Sequence, residues 1–213
     1  VELGKFIAFE GGEGAGKSTQ ARLLAEALEA RGTSCVLTRE PGGTPGAEAI
    51  RALLLLPPLD KMGRDGWGAA AAALLFAAAR ADHVAKLIRP ALADGKWVIC
   101  DRFLDSSRAY QGAAGALGDG EVRALHAIGS GGLLPDLTIV IVASPNQISA
   151  RLAARDRGRA DAIGGRGADY HARVAEAFRG FAAAEPDRFA LVDGEGSVAN
   201  VHARVMQAIA PLC

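Results

Sequence analysis

The chain has 213 residues, half of them hydrophobic, enough for one domain with a full core and too apolar for wholesale disorder. Its 24 Lys and Arg balance its 24 Asp and Glu, so the molecule as a whole is not built around nucleic-acid phosphates or an anionic membrane surface. Three cysteines (Cys35, Cys100 and Cys213) form no close pairs, which argues against a disulfide framework or a cysteine-built zinc site and fits a reducing compartment.

The chain enters a strand-like run, Lys5-Phe6-Ile7-Ala8-Phe9-Glu10, almost at once. No basic stretch, apolar stretch and cleavage site precede it in that order, so no secretory leader is expected. Further β-type runs follow at Ser34–Thr38, Trp97–Asp101, Leu137–Val142 and Phe189–Val192. Each is apolar nearly throughout, which suits strands covered on both faces in a parallel sheet. The stretches between them are long enough for helical crossovers, so the pattern predicts an α/β sandwich of five parallel strands. One helix starts at Gly16-Lys17-Ser18, carries Ala21, Leu24, Ala25 and Leu28 on one face, and stops near Gly32. A long helix is predicted from Trp67 to Ala93, with Pro90 kinking it or resetting its last turn. Its apolar part, Gly68 to Ala79, falls short of the roughly 20 residues a bilayer span needs. No membrane partner is expected, and a cytoplasmic location is the default expectation. Ser144-Pro145 reads as an N-cap with proline at the first helical position, with Ile148 and Leu152 facing inward.

The sharpest chemical signal is Gly11-Gly12-Glu13-Gly14-Ala15-Gly16-Lys17-Ser18, a complete G-x-x-x-x-G-K-[ST] between a strand and a helix. Its glycines let several N–H groups converge on one anion, and the helix N-terminus adds partial positive charge. Lys17 supplies a full charge for β/γ-phosphates, and the Ser18 hydroxyl is placed to ligate Mg²⁺, with Thr19 following. Glu13 beside phosphates is unfavourable unless it faces a metal-bound water or a sugar hydroxyl; otherwise it points to solvent. No N-K-x-D element for reading guanine is present, and the strand Val98-Ile99-Cys100 ends in Asp101-Arg102 rather than Asp-Glu. An acid followed by an arginine at a strand end suits a second anionic substrate, and Asp101 joins Ser18 and Glu13 as a candidate metal ligand. The stretch from Arg151 to Arg166 holds five Arg against two Asp and is rich in glycine. It reads either as a lid that meets an anion or as a solvated loop. A deoxynucleoside kinase or a nucleotide-dependent switch would share the cradle, but a switch needs no arginine-rich clamp. His83, His126, His171 and His202 show no metal or catalytic spacing and are read as structural or surface residues.

Taken together, the motifs resemble the bacterial thymidylate kinase family over essentially the whole chain. The likeness rests on Glu10 through Ser18, Thr38-Arg39-Glu40-Pro41-Gly42-Gly43-Thr44, Phe76 with Arg80, and Asp101-Arg102-Phe103. It extends through Ser106-Ser107-Arg108-Ala109-Tyr110-Gln111-Gly112, Pro135-Asp136-Leu137-Thr138 and the lid. The resemblance implies a P-loop nucleoside-monophosphate-kinase-like three-layer sandwich, a single domain over residues 1–213 with a lid at about 155–167. It implies transfer of the γ-phosphoryl of Mg·ATP to dTMP, with no nucleic-acid partner. Gly11, Gly12, Glu13, Gly14, Ala15, Gly16, Lys17, Ser18, Thr19 and Arg151 would then bind ATP. Arg102 would hold the dTMP phosphate, Phe76 would stack on thymine, and Arg80, Ser107 and Gln111 would read the base edge. Tyr110 would pack under the deoxyribose, Pro41 and Arg51 would line the pocket, and Glu40 would buttress its wall. Glu13 is expected near the sugar 3′-OH, the metal shell, or both.

The family differs in where its catalytic arginine sits. This cradle offers none, so the resemblance puts it in the lid, at Arg155, Arg157 or Arg159. Relatives often carry Asp-Arg-Ile there, whereas this chain reads Asp161-Ala162-Ile163. The resemblance also implies a homodimer; the alanine-rich Ala69–Ala79 helix could pack on a twin or be buried within the monomer. It assigns no role to Arg108.

Overall fold

The computed structural model describes residues 3–55, 66–144, 146–148, 151 and 167–213. Strands β1 (Phe6–Glu10), β2 (Cys35–Arg39), β3 (Trp97–Asp101), β4 (Leu137–Val142) and β5 (Phe189–Asp193) form one parallel sheet in the order β2-β3-β1-β4-β5. The five predicted strands are all present; the second is shifted by one residue and the last is one residue longer. The expectation that every strand is covered on both faces holds for β1, β3 and β4. It fails at the two edges, where Leu37 and Leu191 are 47% and 52% exposed. Edge strands lack a neighbour on one side and are only partly roofed by helices.

Helix α1 (Lys17–Glu29) and the C-terminal helix α8 (Val198–Ile209) cover one face. Leu24, Leu28, Val201, Val205 and Ile209 pack there on Ile7, Phe9, Ile99, Ile139 and Ile141. Phe6, Ala8, Val98 and Cys100 point the other way, onto Val84, Ile88, Phe103, Leu104 and Val122. The period-two division of β1 between two cores makes the sandwich three layers thick. Gly32, at φ +86°, ends α1 as predicted: its N–H bonds Glu29 O at 2.9 Å, and Thr33 N–H bonds Leu28 O at 3.0 Å. The predicted long helix begins at Ala69 as α3 (Ala69–His83), passes through a π-wound turn (Val84–Ile88) and ends as α4 (Arg89–Ala93). Widening the turn before Pro90 accommodates a residue that has no N–H and would crowd the preceding carbonyls. Ser144 caps the next predicted helix, its Oγ accepting from Gln147 N–H at 3.3 Å; Leu152 lies outside the described residues. Helix α2 (Pro45–Leu55) packs on α3, and α3 on α6 (Asp119–Ser130). No helix among the described residues is long and apolar enough to cross a membrane.

The segment after β3 forms α5 (Leu104–Ser107) and a π-wound continuation (Arg108–Ala113), which packs on α7 (Ala168–Ala184). A buried ionic network anchors it. Asp105 accepts from Arg108 Nη1 at 2.8 Å and from Arg188 Nη1 and Nη2 at 2.8 and 3.1 Å; Thr138 Oγ1 donates to it at 3.2 Å. Arg108 also reaches Asp119 at 2.7 Å and Glu185 at 3.0 Å, and its guanidinium lies over the Phe181 ring, 3.9 Å from the centroid. This gives Arg108, which the sequence left without a role, a structural one. Burial pushes the Asp105 carboxyl up, but Arg188 and Arg108 outweigh it and hold its pKa below the ordinary 3.8. Its contribution to stability is therefore full above the ordinary carboxylate pKa and is lost as pH falls through the depressed one. Asp105→Asn is expected to cost about 3–5 kcal/mol in urea unfolding at neutral pH, because two guanidinium groups lose their buried counterion. A loss under about 1 kcal/mol would show that the network adds little.

Candidate active site

In this sheet order β1 lies between β3 and β4, so the loops leaving the carboxyl ends of β1 and β3 meet in one crevice. The first loop is the glycine cradle. Gly11 has φ +129°, and a Cβ there would lie 2.5 Å from the Ile141 carbonyl oxygen; only glycine fits against β4. Gly14 and Gly16 also have positive φ. Gly16 caps α1 without a side-chain bond, which leaves the first N–H groups of the helix to a ligand. Lys17 folds back over the loop, its Nζ donating to Gly12 O at 2.7 Å. Burial, then the charge of Arg102, lowers the Lys17 pKa to about 8, against the pull of Asp101, Glu13 and Glu10.

The second loop follows β3. Ser18 Oγ donates a short hydrogen bond to Asp101 Oδ2, while Asp101 Oδ1 is buried with no partner among the described residues. Arg102 adopts φ +69°, a left-handed conformation uncommon for a residue with a Cβ. Its guanidinium donates to Glu13 Oε1 at 2.5 Å, Ser106 Oγ at 3.0 Å, Gly11 O at 3.3 Å and Tyr110 Oη at 3.4 Å. It also lies 5.1 Å from the Tyr110 ring centroid. Burial disfavours its charge, but Tyr110, Glu13, Glu10 and Asp101 outweigh that and raise its pKa, so it is always a cation.

The opposite wall comes from β2, α2 and α3. Glu40 is buried and accepts from Arg80 Nε at 2.8 Å, with His83 Nδ1 at 3.1 Å on its other oxygen. His83 is itself held by Thr38 Oγ1 at 2.8 Å. Arg80 Nη2 donates to Ser107 Oγ at 2.8 Å and Phe103 O at 3.3 Å, while Nη1 donates to no described residue. Arg51 Nη1 donates to Pro41 O at 2.8 Å. Phe76 is only half-buried and lies in none of the buried clusters. One cleft of about 750 Å³ joins these groups: residues 13–20 of the cradle and α1, then Asp101 and Arg102, then Glu40, Pro41, Arg51, Phe76, Arg80, Ser107, Tyr110 and Gln111. An anion cradle at one end, an aromatic face with a fixed donor at the other and an arginine between them can hold two phosphorylated molecules head to head.

A profile of the family described as Thymidylate kinase matches residues 9–205. The chain belongs to the thymidylate kinase family. It is 54% identical over 209 residues to a thymidylate kinase of Rhizorhabdus wittichii, with 98% of each chain covered. It is 49% identical to one of Rhodopseudomonas palustris strain BisB18, covering 97% of this chain and 88% of the relative. The crystal structure of thymidylate kinase from Ehrlichia chaffeensis superposes with a TM-score of 0.76 at 31% identity, covering 97% of this chain and 99% of that one.

Against the residues expected from the sequence of a thymidylate kinase, the structure brings nearly all of the described ones into this cleft. Gly11 and Gly12 are outside its lining; their carbonyls instead accept from Arg102 and Lys17. Arg151 lines it, pinned by Ala15 O at 2.8 Å and Gly194 O at 2.9 Å. Arg155, Arg157, Arg159 and Arg166, and the lid's Asp161-Ala162-Ile163, lie outside the described residues. Sequence reasoning missed Glu10 and His83 as site-building residues. Glu10 was visible as the last residue of a strand and the first of the motif that runs on through the cradle, but neither place tells what its carboxylate holds. His83 could be found only by folding α3 against β2.

The lowered Lys17 pKa has a measurable consequence. Deprotonation above about pH 8 removes its attraction for phosphate. The affinity of the enzyme for a non-hydrolysable nucleoside triphosphate, followed by calorimetry, is expected to weaken as pH rises through that value. The slope approaches about tenfold per pH unit, the limit for one linked proton. An affinity constant to about pH 9.5 would place the Lys17 titration elsewhere.

Proposed function

We propose a division of labour in the cleft for the reaction this enzyme carries out, transfer of the γ-phosphoryl group of ATP to dTMP, giving ADP and dTDP for dTTP synthesis. The observation that carries it is Arg102, held between the phosphate cradle and the Phe76–Arg80–Tyr110 pocket within a single cleft. ATP takes the cradle, with Lys17 on its β/γ-phosphates and Arg151 beside its base. The thymine ring lies on Phe76, and the open Nη1 of Arg80 reads its polar edge, with Ser107 and Gln111 completing the set. Tyr110 closes the space beneath the sugar where a ribose 2′-OH would have to fit. Glu13 releases Arg102 to the acceptor phosphate and turns to the sugar 3′-OH. The acceptor oxygen attacks in line. It is already ionised near pH 7, its second pKa being about 6, so no general base is needed. Lys17, Arg102 and a lid arginine (Arg155, Arg157 or Arg159) neutralise the group in transit.

A hard divalent cation fits the head of the cleft. Ser18 Oγ and Asp101 would supply oxygen donors, Asp101 Oδ1 being buried with no partner among the described residues. No group of three or more His, Cys, Asp and Glu side chains that could hold a metal occurs among the described residues, a donor set that suits Mg²⁺ shared with phosphate oxygens and water. When bound, Mg²⁺ neutralises phosphate charge and orients the triphosphate. The three free thiols and the nucleotide substrates support a cytoplasmic location.

An ADP-release assay across dTMP, dUMP, dCMP, dGMP and UMP, with and without EDTA, tests the reading. Turnover is expected with dTMP, little with the purine or ribose acceptors, and none after chelation. Lys17→Ala and Arg102→Ala are each expected to lose at least about 2 kcal/mol of transition-state stabilisation, roughly 30-fold in kcat/KM. Near-unchanged turnover in either variant would remove that residue from the mechanism.

We also propose that the enzyme is a homodimer through α2, α3 and α6. These helices pack side by side and expose Leu53, Leu74 and Ile128, the last at 85%. Light scattering is expected to give twice the chain mass, and Leu74→Glu with Ile128→Glu to give the single mass. A wild-type monomer at micromolar concentration would rule the interface out.

A further inference from the structure

Beyond the groups that face substrate, the carboxylate of Glu10 stands out. It is fully buried at the end of the central strand, immediately before the cradle, and it binds nothing in its own loop. All its hydrogen bonds go to the turn after β3. Oε1 accepts from Phe103 N–H at 2.8 Å and Ser106 N–H at 2.9 Å, and Oε2 accepts from Ser106 Oγ at 2.6 Å. The Ser106 hydroxyl has one proton, and Glu10 takes it. A lone pair of Ser106 Oγ is thereby left facing Arg102 Nη1 at 3.0 Å.

We propose that Glu10 and Ser106 form a positioning relay that aims the Arg102 guanidinium and locks the acceptor side of the site to the phosphate cradle. The proposal rests on the reading of Arg102 given above. Arg102 needs such support on two counts. Its left-handed backbone is unfavourable for a residue with a Cβ and persists only where neighbouring bonds hold it. Most of those bonds run to the end of β1 and the residue after it: Arg102 N–H to Phe9 O at 2.9 Å, Phe103 N–H to Glu10, and Arg102 Nη1 to Gly11 O at 3.3 Å; Cys100 Sγ of β3 adds a bond to Arg102 O at 3.0 Å. Its long side chain also has several rotamers of similar energy, and an acceptor fixed on one nitrogen selects among them. The relay therefore sets the distance between the two phosphate sites, a quantity on which in-line transfer depends steeply. Burial, and the charge of Asp105, raise the Glu10 pKa to about 7 against Arg102, Ser106 and Phe103. That agrees with a group used for hydrogen-bond geometry rather than as the chief counterion of Arg102, a place Glu13 holds.

The test uses Ser106, a small side chain whose loss leaves both backbone bonds to Glu10 in place. Ser106→Ala is expected to lower kcat about tenfold with the KM for ATP little changed, and Ser106→Thr, which restores the hydroxyl, to recover the rate. In an Arg102→Lys background, where the planar fork is gone, adding Ser106→Ala is expected to cause no further loss. Glu10→Gln, which reverses the hydroxyl's polarity, should follow Ser106→Ala in kcat. Equal fractional losses from Ser106→Ala in both backgrounds, or a dTMP KM effect without a kcat effect, would mean that Ser106 meets substrate directly and would overturn the relay. A fully active Arg102→Lys enzyme would instead remove the reading of Arg102 itself, and the relay with it.

Discussion

Two neighbouring cations, the buried Lys17 and the partly buried Arg102, dominate this site. Lys17 and Arg102 lie close enough that the charge of Arg102 helps to lower the Lys17 pKa. Such a pair is tolerable only beside negative charge. Glu13, Asp101 and Glu10 provide it, from the cradle, the end of β3 and the end of β1. Phosphate groups would meet the same cations with stronger, multidentate hydrogen bonds. The acids thus keep the cations assembled between turnovers. The sheet order makes this possible, because adjacent parallel strands bring their carboxyl ends, and hence both loops, to one point.

The acceptor wall solves a different problem, the fixing of one guanidinium so that part of it stays free. Glu40 takes Nε of Arg80, Ser107 and the Phe103 carbonyl take Nη2, and Nη1 meets no acceptor among the described residues. Glu40 is held in turn by His83, and His83 by Thr38. Gly43 closes over this stack: a Cβ there would come within 2.5 Å of both His83 and Thr38. Four residues of the Thr38–Gly43 run therefore build this wall. Thr38 orients the imidazole, Glu40 grips Arg80, the Pro41 carbonyl holds Arg51, and the second glycine makes room. Side chains fixed in this way lose little entropy when a base docks.

Legibility in the sequence followed the range of the interactions. The cradle, the Gly32 stop, the Ser144 cap and the apolar strands are set by neighbours within a few residues, and they read correctly. Leu37 and Leu191 looked like covered strand residues because their exposure depends on which strands end up at the edge. The Asp101-Arg102 pair was read as a site for a second anion from its place at a strand end, which the parallel sheet then explained. Glu10 and His83 escaped because their side chains' nearest hydrogen-bond partners in sequence, Phe103 and Glu40, are 93 and 43 residues away; Arg108 has Asp105 and Asp119 near it, but only the fold brings Glu185 to it. No local pattern encodes such pairings.

One short segment carries both the chemistry and much of the anchoring. From Leu104 to Ala113 the chain turns as a helix, so Ser107 and Gln111 share one side and Asp105 and Arg108 another. Ser107 and Gln111 line the cleft, while Asp105 and Arg108 enter the network with Arg188, Asp119 and Glu185. The two faces communicate through charge. Asp105 and Glu10 are neighbouring buried carboxyls with pKa values moved in opposite directions, Asp105 down and Glu10 up. Burial penalises both; the difference is in their partners. Asp105 holds two guanidinium groups directly, whereas Glu10 receives two backbone N–H groups and a hydroxyl and feels Arg102 at one remove. Asp105 itself is among the causes that raise Glu10. The arginines that neutralise Asp105 therefore also limit its field at the cleft, and the structural network helps set the electrostatics of the site it supports.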